Sequence, residues 1–188
     1  ILFRLSKDNH VFMLNMHHII SDGWSVGVMI KEFSTLYQSF VSGSHSFLPD
    51  LPIQYADYSF WQKQWLQGEE LEKQVNYWKQ QLNGVSVLDL PTDFARPSVM
   101  TTHGSRVLFQ VPAKLTGELN ALSQKNDVTL YMTLLTAFQT LLFRYTGQKD
   151  IAVGSPVAGR NRSELEGLIG CFINTMVLRT ELSGDTRF

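Results

Sequence analysis

Residues 17 to 23, His17-His18-Ile19-Ile20-Ser21-Asp22-Gly23, are the one stretch of the chain where titratable side chains interrupt an apolar pattern at close, regular spacing. An imidazole exchanges protons near neutral pH, so two in succession, followed by a carboxylate and a glycine, suit acid–base work on a substrate. Cys171 is the only thiol. Beside a histidine it is a conceivable nucleophile, but nothing in its sequence surroundings lowers its pKa, and a small buried thiol is the expected role.

The flanking elements must position these groups. Val11 to Met16 reads as a strand leading into the histidines, and from Trp24 the apolar residues Val26, Ile30, Phe33, Tyr37 and Phe40 follow helical spacing. The histidines are therefore expected where a strand ends and the acid where a helix begins, at the rim of a layered α/β structure. A strand continuing through position 18 turns successive side chains to opposite faces, so one of His17 and His18 looks into a given cleft while the other is packed or hydrogen-bonded. Asp22 or Ser21 can cap the helix, and Gly23 eases a tight turn or leaves room for a substrate. On spacing alone, a structural and a functional role for this cluster both stand.

Before the cluster, Ile1–Ser6 and His10–Met16 flank Lys7-Asp8-Asn9, a turn signal, and form an expected hairpin. After the first helix comes the loop Ser42-Gly43-Ser44-His45-Ser46. Tyr55 to Leu66 carries Tyr55, Tyr58, Trp61 and Trp65 at helical offsets, a stripe that reads as core, with Asp57 beside it solvated or paired. Gly68 breaks or bends the chain there. Leu71, Val75, Trp78 and Leu82 predict a further helix ended at Asn83-Gly84. Val85 to Gly104, with Pro91, Pro97 and Gly104, lacks a period and is expected to connect two lobes, spanning 1–84 and 105–188.

In the second part, Val107, Phe109 and Val111 alternate as a strand, Leu115, Leu119 and Leu122 mark a helix, and Asn126 to Thr129 caps another, Leu130 to Tyr145, apolar nearly all round and expected to be buried. Gly147 ends it. Ile151 to Val153 is a short strand, so the order strand, helix, helix, strand predicts a crossover between parallel strands. Gly154 to Gly170, with Arg160, Arg162, Glu164 and Glu166, is expected to be an exposed charged loop with room for a helical turn. Phe172 to Leu182 reads as a strand in which Asn174 is the polar exception.

At 188 residues the chain can bury one good core or two small ones, and its 44% hydrophobic and 18% charged content fits a well-buried interior. A net charge of −1 gives no electrostatic case for nucleic acid or an anionic membrane as partner. No run reaches the roughly 18 uncharged apolar residues of a membrane span, and no signal-peptide pattern is present. One cysteine excludes an internal disulfide framework and agrees with a reducing compartment, cytoplasm by default. No repeat, phosphate loop or metal-ligand spacing stands out. Ile1 to Leu5 begins without Met and already reads as a strand, and Gly184 to Phe188 carries no cap or polar tail, so a piece of a longer polypeptide is expected.

His17-His18-x-x-x-Asp22-Gly23-Trp24-Ser25 resembles the HHxxxDGxS core of condensation domains of nonribosomal peptide synthetases, relatives of chloramphenicol acetyltransferase. Tyr55-Ala56-Asp57-Tyr58-Ser59-Phe60-Trp61-Gln62 is similar to the YxDYAxWQ segment of that family, and Ile169-Gly170-Cys171-Phe172-Ile173-Asn174-Thr175 to its IGxFVNT segment. Pro91-Thr92-Asp93 and Gly154-Ser155-Pro156-Val157-Ala158-Gly159-Arg160 fall in the family's order. HxxxDG alone also occurs in acyl-CoA-dependent acyltransferases; several motifs in order are more specific.

The resemblance implies an α/β, two-lobed chloramphenicol acetyltransferase-like architecture, here partial, with mixed sheets and flanking helices. It implies peptide-bond formation by attack of an acceptor amine on a donor thioester, with both substrates on the 4'-phosphopantetheine arms of upstream and downstream carrier proteins and with an adenylation domain adjoining. No bound cofactor and no metal are implied. His18 takes the proton, His17 is its packed or hydrogen-bonded neighbour, and Asp22 fixes the loop by pairing with an arginine expected outside this stretch. Gly23 leaves room for the oxygen of the intermediate or for the pantetheine arm, while Trp24, Ser25 and Asn174 lie at the substrate, and Gly154 to Gly170 forms a floor or latch beneath the cleft. Trp24-Ser25 favours a peptide-forming domain over the epimerising relative, the absence of a second acid argues against heterocyclisation, and Ile19-Ile20-Ser21 leans towards an L-configured donor. A coenzyme A-dependent acyltransferase and a non-catalytic docking module are the competing readings; the latter tends to lose the histidine kept here.

Overall fold

A computed structural model describes residues 1–45 and 48–183; the expected loop residue Ser46 and the tail from Gly184 lie outside them. The hairpin forms, with β1 (Leu2–Arg4) antiparallel to β2 (His10–Phe12) and Phe3 opposite Val11. Leu5 and Ser6 N–H both reach the Asn9 carbonyl, closing the turn. β2 ends at Phe12 rather than Met16, and His18–Ile20 is a 3-10 turn. The expected alternation of His17 and His18 across a strand is therefore overturned.

α1 (Gly23–Ser42) starts on Asp22, whose side chain accepts from Ser25 N–H, and stops at Gly43 in the left-handed conformation. Asp22 is thus the cap. Gln54 precedes α2 (Tyr55–Trp65), and Asp57 Oδ2 accepts its N–H at 2.8 Å. Gly68, with φ of 52°, sets the bend before α3 (Gly68–Gln81). α4 (Ala113–Lys125) and α5 (Leu130–Thr146) follow, the latter capped by Thr129 and ended by Gly147. A hydrogen bond of 2.7 Å between the Ser123 and Thr133 hydroxyls ties them. β3 (Asp150–Val157) pairs with β4 (Asn174–Glu181), and the four-residue α6 (Ser163–Glu166) lies between them in sequence.

Four expectations fail here, in whole or in part, for physical reasons. Residues 107–111 form no strand, because an extended segment needs a partner edge and none is present among the described residues; Val107, Leu108 and Phe109 are 89%, 91% and 83% exposed. The predicted crossover between parallel strands falls with it. α5 is not buried all round, since it packs chiefly along Thr133, Gln139 and Leu142. Gly154 to Gly170 contains the expected helical turn, α6, and leaves Arg162, Glu164 and Glu166 exposed, but it is not an exposed loop throughout. It supplies Leu165 and Leu168, which form the buried cluster with Phe172, packed on Ile53, Tyr55 and Tyr58.

Two compact units emerge, neither a single stretch of sequence: Ile1–Trp78 with Ser155–Met176, and Lys79–Gly154 with Val177–Phe188. The first holds the cluster around Phe172, whose ring meets Tyr55 edge-on at 5.0 Å and Tyr58 at 4.7 Å. Half of the aromatic stripe is thus core, while Trp61 and Trp65, stacked at 5.5 Å, keep exposed faces. In the second, Arg179 pairs with Asp150 at 2.7 Å and donates to the carbonyls of Gln81 and Asn83.

Candidate functional site

Every contact of the site falls within the first unit, and its buried centre is Asp22, only 5% exposed. Oδ1 accepts from Ser25 N–H at 2.8 Å, from the Ser25 hydroxyl at 2.7 Å and from Arg160 Nη2 at 3.2 Å. Oδ2 accepts from Phe172 N–H at 3.0 Å. Burial alone would push this carboxyl up, because the anion loses water. The hydrogen bonds from Phe172, Ser25 and Arg160 outweigh that cost and hold its pKa at about 2.

Arg160 corrects the expectation that the partner of Asp22 lies outside this stretch. Its side chain is 0% exposed in the pair. Nη1 donates to the Leu165 and Leu168 carbonyls, Nη2 also reaches Ser25 Oγ at 3.0 Å, and the guanidinium lies 4.0 Å from the centre of the Phe172 ring. Its Nε–H is buried without a partner among the described residues. The sequence carries no local signal for this pair, since 138 residues separate its members. Only the resemblance of Gly154 to Arg160 to a family segment draws attention to that stretch.

Ser25, expected at the substrate, is fully buried. Its hydroxyl accepts from Gly170 N–H at 3.0 Å and lies 2.8 Å from the Gly170 carbonyl. With one hydrogen to give, it favours the charged Asp22 Oδ1. Tyr55, which its place in the aromatic stripe assigns to packing alone, also donates its hydroxyl to the Cys171 carbonyl at 2.8 Å. Burial pushes its phenol above the usual range, so it stays a donor.

The two histidines lie at the solvent-facing side of this network, and both are exposed. His17 Nδ1 accepts from Ile19 N–H at 3.0 Å and so caps the 3-10 turn. His18 Nδ1 lies 3.9 Å from Cys171 Sγ. Among the described residues no hydrogen bond joins either imidazole to Asp22, so the carboxylate shapes the backbone rather than the histidine directly. Trp24 donates Nε1–H to the Glu166 carbonyl at 2.9 Å, and with Gly23 it borders an open cavity of about 240 Å3 whose other walls include Pro156, Val157, Ala158 and Ile173. Asn174, at the start of β4, is exposed, and its Oδ1 accepts from Thr175 N–H at 2.8 Å. Cys171 is half-buried rather than buried. No group of three or more metal-ligating side chains gathers among the described residues, and no helix there is long and apolar enough to cross a membrane.

Comparison with known proteins adds three findings. The Condensation domain family model matches residues 1–188. A linear gramicidin synthase of Brevibacillus parabrevis is 53% identical over the whole chain, which spans 4% of that protein, and the malpinin synthetase of Mortierella alpina is 47% identical over 97% of the chain, with 2% of that protein spanned. Among solved structures, the X-domain from teicoplanin biosynthesis superposes with a TM-score of 0.85 at 27% identity, over 98% of this chain and 42% of that one. The SgcC5 protein from Streptomyces globisporus gives a TM-score of 0.76 at 29% identity, covering 89% of this chain and 38% of that one. The expected fold class, mixed α/β of the chloramphenicol acetyltransferase-like kind and partial, is the one found. The chain spans well under half the length of the solved structures it resembles.

Proposed function

Since this chain belongs to the condensation-domain family, we propose that it forms part of a nonribosomal peptide synthetase condensation domain that joins two carrier-bound substrates by an amide bond. The observation that carries this reading is an exposed His18 four residues before a carboxylate, Asp22, that is committed to a buried arginine. Such a division leaves the imidazole free for a substrate while the acid keeps the surrounding backbone in place.

The acceptor's α-amine, with a pKa of roughly 7.7–8.0, is substantially unprotonated near neutral pH. It attacks the donor thioester carbonyl; the carbon–nitrogen bond forms, the carbon–sulfur bond breaks, and the proton leaving nitrogen passes to His18 and then to the departing pantetheine thiolate. The remaining task is orienting two tethered chains, for which Gly23 and Trp24 at the cavity rim and Asn174 on β4 are the proposed contacts. His17 supports the turn carrying His18, and Ser25 acts from within the buried network rather than at the substrate. The 4'-phosphopantetheine arms arrive on upstream and downstream carrier proteins, and an adenylation domain adjoins. An L-configured donor is the proposed substrate class. A coenzyme A-dependent acyltransferase is disfavoured by the Tyr55 and Ile169 motifs, and a docking module by the intact His18.

The test uses the parent polypeptide with both carriers loaded with aminoacyl-phosphopantetheine, following dipeptidyl-carrier product by mass spectrometry. His18→Ala is expected to lower the rate by roughly 100-fold or more, within the range of general acid–base catalysis. A folded, correctly loaded wild type that yields no product would move the assignment to the acyltransferase or docking reading.

A further inference from the structure

We propose that Cys171 is a positioning residue for His18, holding the imidazole so that its Nε2 is presented to the reacting amine; this rests on the peptide-forming reading above. The geometry begins with the backbone. Gly170 N–H is bound to Ser25 Oγ at 3.0 Å, Phe172 N–H to Asp22 Oδ2 at 3.0 Å, and the carbonyl between them accepts the Tyr55 hydroxyl at 2.8 Å. Three successive residues are thereby fixed to the buried carboxylate network and to α2.

Burial then separates their side chains. Gly170 and Phe172 are buried, whereas Cys171 is half-buried. The Phe172 ring packs on Tyr55 and Tyr58, and the Cys171 thiol lies 3.9 Å from His18 Nδ1. Among the described residues Asp22 makes no hydrogen bond to His18; the chain between them fixes the His18 backbone, while the path through the backbone of 170–172 ends at sulfur beside the imidazole. A thiol is a weak hydrogen-bond partner, but it occupies one of two ring nitrogens. With the ring hydrogen on Nδ1 and directed at Sγ, the lone pair resides on Nε2, and the nitrogen a histidine leaves free is set by the bond its other nitrogen makes. Cys171 touches no reacting atom in this scheme; it acts through His18.

The test measures dipeptidyl-carrier formation by the parent synthetase, with carrier loading and the thermal unfolding midpoint checked for each variant. Cys171→Ala is expected to lower kcat by about 3- to 5-fold, the lower part of the range one hydrogen bond spans because a thiol is a weak partner, and to leave KM for the loaded carriers unchanged. Cys171→Ser, which keeps a small polar group facing Nδ1, is expected to recover most of that rate and to serve if the alanine variant is poorly folded. In a His18→Ala background, read at long incubation, Cys171→Ala is expected to change the residual rate by less than about twofold, because two residues acting through one group are not additive. A Cys171→Ala enzyme as fast as wild type, or one that loses the same factor with and without His18, overturns the proposal. A loaded wild type that makes no product overturns the peptide-forming reading instead, so the two failures are told apart.

Discussion

At the scale of single residues, Asp22 is a charge that the fold holds more firmly than water does. Its folded pKa is about 2 against 3.8 for the free side chain. The folded chain therefore binds fewer protons than the unfolded chain between those values. The resulting stability is fully present above about pH 5, is lost as pH falls from about 4 through the folded value of about 2, and is gone by about pH 1. Its size is about 2 to 3 kcal/mol. Asp22→Asn is expected to remove this acid limb and, by stranding the buried Arg160, to cost about 3–5 kcal/mol in all at neutral pH. Hydrogen-exchange mass spectrometry on peptides covering 22–27 and 160–172 checks both: protection in the variant should be lower at pH 7 and change less on going to pH 3. Equal protection in the two proteins at both values would contradict it. That Asp22 caps a helix is legible in sequence, because a cap reaches only three residues. That Arg160 pairs with it is not, because no periodicity links positions so far apart.

At the scale of elements, the helices read well and the loops badly. α1, α3, α4 and α5 repeat apolar residues at helical spacing and end at glycine or asparagine, signals local to each helix. The charges of the stretch 154–170 point to solvent, whereas Leu165 and Leu168 decide its place and the Arg160 charge goes inward. Its close packing makes two glycines testable. A Cβ at Gly159, whose φ is +68°, would collide with the Phe172 carbonyl oxygen, and one at Gly170 would collide with the Tyr55 ring. Gly159→Ala and Gly170→Ala are each expected to destabilise by about 1–3 kcal/mol. Gly117→Ala, in α4 with open space around it, is expected to stabilise by about 0.5–1 kcal/mol. Thermal unfolding of the three variants gives the comparison, and a Gly170→Ala midpoint at or above wild type would refute the packing argument.

At the scale of the whole molecule, the family is legible from motif order, while the residues left uncovered are not. In the first unit Ile30, Phe33, Tyr37 and Phe40 on α1 are 50–81% exposed, and in the second Tyr131, Phe138, Leu141 and Tyr145 on α5 are 47–65% exposed. Apolar faces of this kind drive association. Residues 1–188 are expected to self-associate, seen as light scattering that rises with concentration; a monodisperse 21.4 kDa species would count against this. Arg160 and Phe172 have a consequence for synthesis as well. They follow Asp22 by 138 and 150 residues. At about 5–20 residues per second, a ribosome needs roughly 8 to 30 s after making the acid to deliver the groups that complete its network. For that interval the nascent α1 has its cap without the clamp that holds the cap in place.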